Sequence, residues 1–391
     1  MEKLTIVLPS ILTVPAIKGG AVELLLENFI NQNEKKRKYK LTIIAHHIKG
    51  IEKHTSQYSY AKFIYIKLPT LFIRVNSLAS NVIKMLPSLY TYLIRKEIMK
   101  VGNKDILVEG SREVALQLIE SLPGYSITLH THGPFYPIKD DREKKLMEQL
   151  KKVITVSEFV ENKYSDSNNK LEKVNITSVK NGIECTRFFD ENIQETSDQI
   201  LQEMNLPKNK KIILFKGRMV KEKGIIELIK AFSSIENNNL ILLLVGSKNF
   251  GENRILKSKY EKELVALINN DERIVHVGYI PYENIPKLNK VAYACVVPST
   301  WEEPAGLVLV EAIASETPSI ISDSGGLPEY ATGECAHIIT RDKNFIDNLR
   351  KAIIEIVDNE TYYKRLKVNT SKRRDFYNEE RYYDELCQML N

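Results

Sequence analysis

The chain is poor in the features that mark redox, secreted or membrane-spanning proteins. It has four cysteines in 391 residues, Cys185, Cys295, Cys335 and Cys387, spaced so widely that no CxxC pair exists. That excludes a zinc ribbon or a thioredoxin-type centre and points to buried thiols in a reducing compartment. No signal-peptide pattern precedes the first β-rich run, LTIVLPS at 4–10. The longest aliphatic run, Leu240–Val245, is far short of the roughly 20 residues that a membrane helix needs. A cytoplasmic protein is the expectation. The sequence also lacks GxGxxG, Asp-x-Asp, zinc-finger and helix-turn-helix signatures, internal repeats and low-complexity segments. Its net charge of +6 suits an anionic ligand or membrane surface without calling for nucleic acid, and no nucleic-acid partner is expected.

What is present describes a globular protein: 43% hydrophobic and 27% charged residues. The length suggests two domains, each long enough to bury a core. Short apolar runs alternate with helical patterns throughout. In the first half the strand-like runs are 4–10, 41–47, 105–110, 126–133 and 153–158; in the second they are 212–219, 240–249, 274–280, 294–299, 318–323 and 337–340. Such alternation implies α/β architecture with two doubly wound, Rossmann-like parallel sheets. The Asn181-Gly182 turn and the polar linker after it end the first domain. The expected division is 1–190, 191–372 and a C-terminal helix over 373–391 that returns to the first domain.

The stretch Pro298–Glu329 holds a loop, a helix, a strand and a glycine turn in one span. Glu303 and Glu311 sit eight positions apart in it. On one straight helix they would be about 12 Å apart along the axis and roughly 80° apart around it, unable to share one atom. Proline favours the first helical position, so a helix is expected to start near Pro304 or Ala305. Glu303 then ends the incoming loop, and Glu311 lies about two turns inside the helix. The free N–H groups of Gly306, Leu307 and Val308 would face a ligand, as an anion-binding helix N-terminus requires. Upstream, Gly217, Arg218, Lys223 and Gly224 form GR-x4-KG after the run 212–219. Arginine binds phosphate through two N–H groups, and lysine adds a compact charge.

Together, E-x7-E in EPAGLVLVEAIAS, the following SGGLPE and GR-x4-KG resemble the donor site of retaining glycosyltransferases of family 4 (GT4). The resemblance covers nearly the whole chain, strongest over 212–330 and weaker before 180. It implies the GT-B fold, two Rossmann-like domains facing a central cleft, with the donor in the C-domain and the acceptor mostly in the N-domain. It also implies metal-independent transfer of a hexose or N-acetylhexosamine from a nucleotide sugar, with UDP preferred to GDP on family frequency. No cofactor and no metal ligand are expected. The acceptor would be a glycan, lipid-linked or protein-linked, as in bacterial enzymes that build surface polysaccharides, glycoproteins or spore-coat glycans. A GDP-mannose-dependent mannosyltransferase and a non-catalytic coat or binding protein stay open as alternatives.

The resemblance assigns further residues. Glu303 would contact the sugar hydroxyls and Glu311 the ribose, while Arg218 and Lys223 would meet the diphosphate. Gly217, Ala305, Gly306 and Leu307 would approach it by backbone. Gly278, Tyr279 and Ile280, ending IVHVGYI, would hold the base. Gly20, in a Gly-Gly turn between a strand and the helix 21–30, resembles the family's first glycine segment. His130 in SITLHTHG resembles the family's strand-end histidine that contacts the transferred sugar, with His132 close enough to take its place. The basic run 33–40 reads as a solvated helix end and loop. Between 70 and 98, Leu71, Phe72, Ile73, Met85, Leu86, Leu89, Tyr90, Leu93 and Ile94 lie among Arg74, Lys84, Arg95 and Lys96, with a break near Pro87. An apolar face edged with base suits peripheral contact with an anionic membrane or the flank of the first domain.

Overall fold

The run Leu240–Val245 is buried along its whole length, as a strand covered on both faces must be. The computed structural model that shows this describes residues 1–17, 19–68, 85–133, 135–165, 171–188, 199, 201–204, 206–247 and 258–391, with the side chains of 85–88 left out. Leu71, Phe72, Ile73, Arg74, Lys84 and most of the linker after Phe188 lie outside the described residues. The chain forms two compact units: Met1–Asn181 with Glu379–Asn391, and Gly182–Asn378. The sequence-based divisions stood at 190/191 and 372/373. Ile183, Cys185 and Phe188, just past the Asn-Gly turn, are buried in the core of unit 2.

Unit 1 holds β1 Glu2–Val7, β2 Tyr39–His46, β3 Ala61–Ile66, β4 Asp105–Glu109, β5 Ser126–His130, β6 Lys152–Thr155 and β7 Asn175–Ser178. They form one sheet in the order β3-β2-β1-β4-β5-β6-β7, every pair parallel. Helices α1 Ala21–Lys36, α2 Met85–Val101, α3 Arg112–Ser121, α4 Asp141–Met147 and α5 Glu158–Ser165 lie between the strands. Among the described residues, Pro87 lies within α2.

Unit 2 repeats the plan with β8 Lys211–Lys216, β9 Leu240–Val245, β10 Ile274–Gly278, β11 Ala294–Val297, β12 Ser319–Ser322 and β13 Ala336–Ile339. The order is β10-β9-β8-β11-β12-β13, again all parallel. Its helices are α6 Ile225–Ser233, α7 Lys259–Asn269, α8 Ile285–Val291, α9 Leu307–Ala314, α10 Phe345–Asp358 and α11 Glu360–Ser371. The last helix, α12 Glu379–Leu390, belongs to unit 1. Phe29 of α1 packs on Tyr383, ring centroids 5.0 Å apart, and the Tyr383 hydroxyl donates to Asn33 Oδ1 at 3.0 Å.

The structure corrects the sequence reading in several places. β3 and β7 were not expected. Both are edge strands and mostly half-buried, so their apolar signal is weak. The basic run 33–40 is split: its first residues end α1, while Tyr39 and Lys40 open β2. Lys36 is ion-paired to Asp384 at 2.8 Å and Glu380 at 2.9 Å. After GR-x4-K the chain turns at Gly224, which sits at φ +68° between a 3-10 turn over Lys221–Lys223 and α6. In both sheets the order reverses once, between β1 and β4 and between β8 and β11. The carboxyl ends of strands beside such a reversal are where open α/β sheets bind ligands.

Candidate functional site

The GR-x4-KG turn leaves β8 at the reversal in unit 2. Gly217 has φ +152° and Gly246, at the end of β9, has φ +138°. A Cβ on Gly246 would fall 1.8 Å from the Gly217 carbonyl oxygen, so the two strand ends meet backbone to backbone. Gly246 N–H also donates to Gly278 O at 2.7 Å. The ends of β8, β9 and β10 are thus locked together, with Tyr279 and Ile280 next in the chain. Gly224 makes a second close approach. A Cβ there would lie 1.8 Å from the Pro298 carbonyl oxygen, and Thr300 N–H donates to Glu222 O at 2.9 Å. The lysine-bearing turn is thereby docked on the segment that carries Glu303.

That segment is fixed from several sides. Glu303 Oε1 accepts from Lys223 Nζ at 2.6 Å and from the Ser299 hydroxyl. Its N–H donates to Ser324 Oγ at 3.0 Å, and its carbonyl accepts from Gly326 N–H at 2.8 Å. Gly325, at φ +52°, leaves room for this, since a Cβ would sit 2.3 Å from the Glu303 carbonyl oxygen. Lys223 Nζ also stands 5.7 Å from the centroid of the Trp301 ring. Arg218 is exposed, and no hydrogen bond or ion pair of its guanidinium occurs among the described residues.

Helix α9 starts at Leu307, two to three residues later than expected. Pro304 and Ala305 stay in the loop, and Gly306 is non-helical at φ −130° and ψ 53°. Glycine is required there, because a Cβ would meet Leu327 Cδ1 at 2.6 Å. Glu311 is about one turn inside the helix rather than two. Gly306 gives no side-chain cap, and the first turn carries no acidic residue, which leaves the N-terminal N–H groups and the positive dipole end for an anion. Glu311 Oε2 is ion-paired to Lys216 Nζ, and Asn289 Nδ2 donates to the Glu311 carbonyl at 3.1 Å.

Sequence reasoning missed Lys216 and Ser299. The signal for Lys216 was a charged residue closing the strand KIILFK after four apolar residues. Each glutamate of E-x7-E is held by a lysine through one carboxylate oxygen. Among the described residues, the other oxygen of each makes no hydrogen bond.

In unit 1, His130 ends β5 opposite Glu109 at the end of β4, the two being cross-strand partners. His130 Nδ1 lies 3.2 Å from Glu109 Oε2, and His132 Nε2 lies 2.7 Å from the same atom. The imidazole centroids are 4.1 Å apart. Glu109 is another residue that sequence reasoning missed. Burial pushes its carboxyl up, but the electrostatic pull of His130 and hydrogen bonds from both histidines outweigh this and hold it at about 2. The three offer ligand atoms within 4.8 Å of one another, the one such group among the described residues, though these atoms already bond to each other.

Gly20 N-caps α1, and the Glu23 carboxylate folds back so that a Cβ on Gly20 would meet its Oε2 at 2.0 Å. A cavity of about 220 Å³ there is lined by Thr13, Gly19, Gly20, Glu23 and His46. A larger hollow of about 810 Å³ begins at Gly110 and Thr131 and runs along α3. The predicted residues therefore fall into two sets: Gly20 and His130 in unit 1, and all the others in unit 2.

Residues 196–373 match the family described as Glycosyl transferases group 1. The lipopolysaccharide 1,2-N-acetylglucosaminetransferase of Salmonella typhimurium is 25% identical over 241 residues, 61% of this chain and 59% of that protein. The chain thus spans less than two thirds of that relative. Spore coat protein SA of Bacillus subtilis is 23% identical over 340 residues, 84% of this chain and 82% of that protein. The crystal structure of Anabaena HepE in complex with UDP shares the fold with a TM-score of 0.74 at 17% identity, covering 100% of this chain and 99% of that one. The fold is GT-B. Residues 196–373, with their glycine-locked strand ends and lysine-held glutamates, are the part of the chain that matches the glycosyl transferases group 1 family.

Proposed function

We propose that the protein is a retaining glycosyltransferase that moves a hexose or N-acetylhexosamine from a UDP-sugar to a glycan, lipid-linked or protein-linked acceptor. The observation that carries this reading is the pair of lysine-held glutamates flanking the uncapped start of α9. A leaving nucleoside diphosphate gains charge as the glycosidic bond breaks. Preorganised cations and helix N–H groups that meet developing charge commonly supply the largest catalytic contribution. Arg218, Lys223 and the first turn of α9 take that part, and no metal ion is required for it. Glu311 accepts from the ribose hydroxyls and Glu303 from the sugar hydroxyls, a role suited to carboxylates. The turn Gly278–Ile280 holds the base, and His130 contacts the transferred sugar. The HepE neighbour was solved with UDP, which supports uridine over guanosine.

Exposed Tyr92 and Met99 on α2, with Lys96 stacked on Tyr92 at 4.8 Å, suit peripheral contact with an anionic membrane. Co-sedimentation with phosphatidylglycerol vesicles tests that contact.

The deciding experiment is a thermal-shift series with UDP, GDP, dTDP and ADP on wild type and Glu311→Gln. A ligand at 100 times its dissociation constant adds about 2.7 kcal/mol of stability. UDP alone should stabilise the wild type, and the variant much less. A GDP-specific shift would favour a mannosyl donor, and no shift with any of the four would oppose catalysis. Proton NMR of the new anomeric linkage checks retention.

A further inference from the structure

Glu109 lies at the end of β4, beside the strand reversal of unit 1, and is 2% exposed. Among the described residues, no lysine or arginine pairs with its carboxylate. Its oxygens lie against two imidazoles instead: His130 Nδ1 at 3.2–3.3 Å and His132 Nε2 at 2.7 Å. The opposite nitrogens, His130 Nε2 and His132 Nδ1, are buried and have no hydrogen-bond partner. The surroundings hold the trio in place. Gly110 N–H donates to the His130 carbonyl at 2.7 Å, and the Tyr382 ring of α12 stands 6.5 Å from the His130 ring.

An ionised carboxylate only accepts hydrogen bonds. The ring nitrogens facing Glu109 must therefore both carry hydrogen, and the hydrogen-bond partner of one ring nitrogen sets the role of the other. We propose that Glu109 is a positioning residue that fixes the tautomers of both histidines, so that His130 Nε2 and His132 Nδ1 are presented together as acceptors for the hydroxyl groups of a sugar. This rests on the glycosyltransferase reading for the identity of the ligand, but not for the tautomers. It assigns both histidines to the ligand, rather than one in place of the other. A buried, unpartnered acceptor is costly, and a sugar hydroxyl removes that cost on binding.

Replacing Glu109 with glutamine keeps the shape but changes the chemistry. The amide presents one donor end and one acceptor end, so the ring that meets its N–H₂, His130 where the nitrogen takes the Oε1 position, turns its lone pair inward and its N–H outward.

The test is long-range proton–nitrogen correlation NMR of the imidazole rings, at a pH where both are neutral. Wild type should show His130 with hydrogen on Nδ1 and His132 with hydrogen on Nε2. Glu109→Gln should reverse at least one of them. The same variant should lose about 10²-fold in kcat, the scale of one misplaced hydrogen-bonding group, with UDP affinity unchanged and Glu109→Asp retaining more activity. The opposite wild-type tautomers, or tautomers unchanged in Glu109→Gln, would overturn the proposal. So would stoichiometric Zn²⁺ uptake with loss of the inner ring hydrogens, or full kcat in Glu109→Gln with reversed tautomers. If wild type transfers no sugar at all, the NMR result still stands, and only the glycosyltransferase reading fails.

Discussion

Lys216 and Glu311 lie 95 residues apart in sequence and form a buried ion pair at the strand reversal of unit 2. Each is 6% exposed. The pair ties the last residue of β8 to α9, so the strand that delivers Arg218 and the helix whose first turn is uncapped are joined by this contact.

Removing one partner of such a pair leaves a buried charge alone, which costs about 3–5 kcal/mol. Lys216→Met should lower stability by that amount in urea unfolding. Adding Glu311→Gln to Lys216→Met should recover most of the loss, because the orphaned charge goes with it. Equal destabilisation in the single and double variants would show that packing, and not charge, is responsible.

Gly224 combines a left-handed backbone with a close approach to the Pro298 carbonyl. Gly224→Ala should cost more than about 1 kcal/mol and weaken nucleotide binding as well, since the turn carrying Lys223 would lift from the Glu303 segment. Thermal melts with and without UDP report both effects. A variant as stable as wild type would show that the turn can move aside freely.

Arg218 makes no ion pair among the described residues, so its loss should leave the fold intact and strike turnover. Arg218→Ala is expected to reduce kcat by about 10²-fold with an unchanged melting temperature. Turnover in EDTA should match turnover in magnesium. A chelator-sensitive rate restored by magnesium would transfer the diphosphate role from these side chains to a metal ion.

The acid limb of stability has two expected steps. His132 is pushed below 6.5 by burial and by its neighbour His130, so its contribution is present above 6.5 and begins to be lost as the pH falls below it. Glu109 is held at about 2 against an ordinary 4.5. A depressed carboxyl stabilises above 4.5 and loses that contribution as the pH falls towards 2. Unfolding free energies measured between pH 7 and pH 2 should show both steps in wild type. Glu109→Gln should lack the lower one.

Much of the architecture can be read from local patterns. The apolar runs near the middle of each sheet and the glycines that end them are visible in sequence, because burial on both faces writes a continuous hydrophobic signal. The edge strands β3 and β7 escape that reading, since their half-buried pleats carry little of it. The site divides in the same way. Arg218, Lys223, Glu303 and Glu311 stand in recognisable spacings. Lys216, Ser299 and Glu109 take their meaning from residues distant in sequence, across the sheet, or from a side chain turning back on itself. The close packing of Gly306, just before α9, involves Leu327, twenty-one residues beyond it, and has no local signal.

The return of α12 to α1 makes unit 2 an insertion within unit 1, bounded by two covalent crossings. During synthesis, unit 2 has its whole sequence once Asn378 has emerged. Unit 1 must wait for α12, Glu379–Leu390, before Phe29 and Asn33 are covered. A chain cut short before α12 would therefore have unit 2 complete, while unit 1, made first, is the unfinished one.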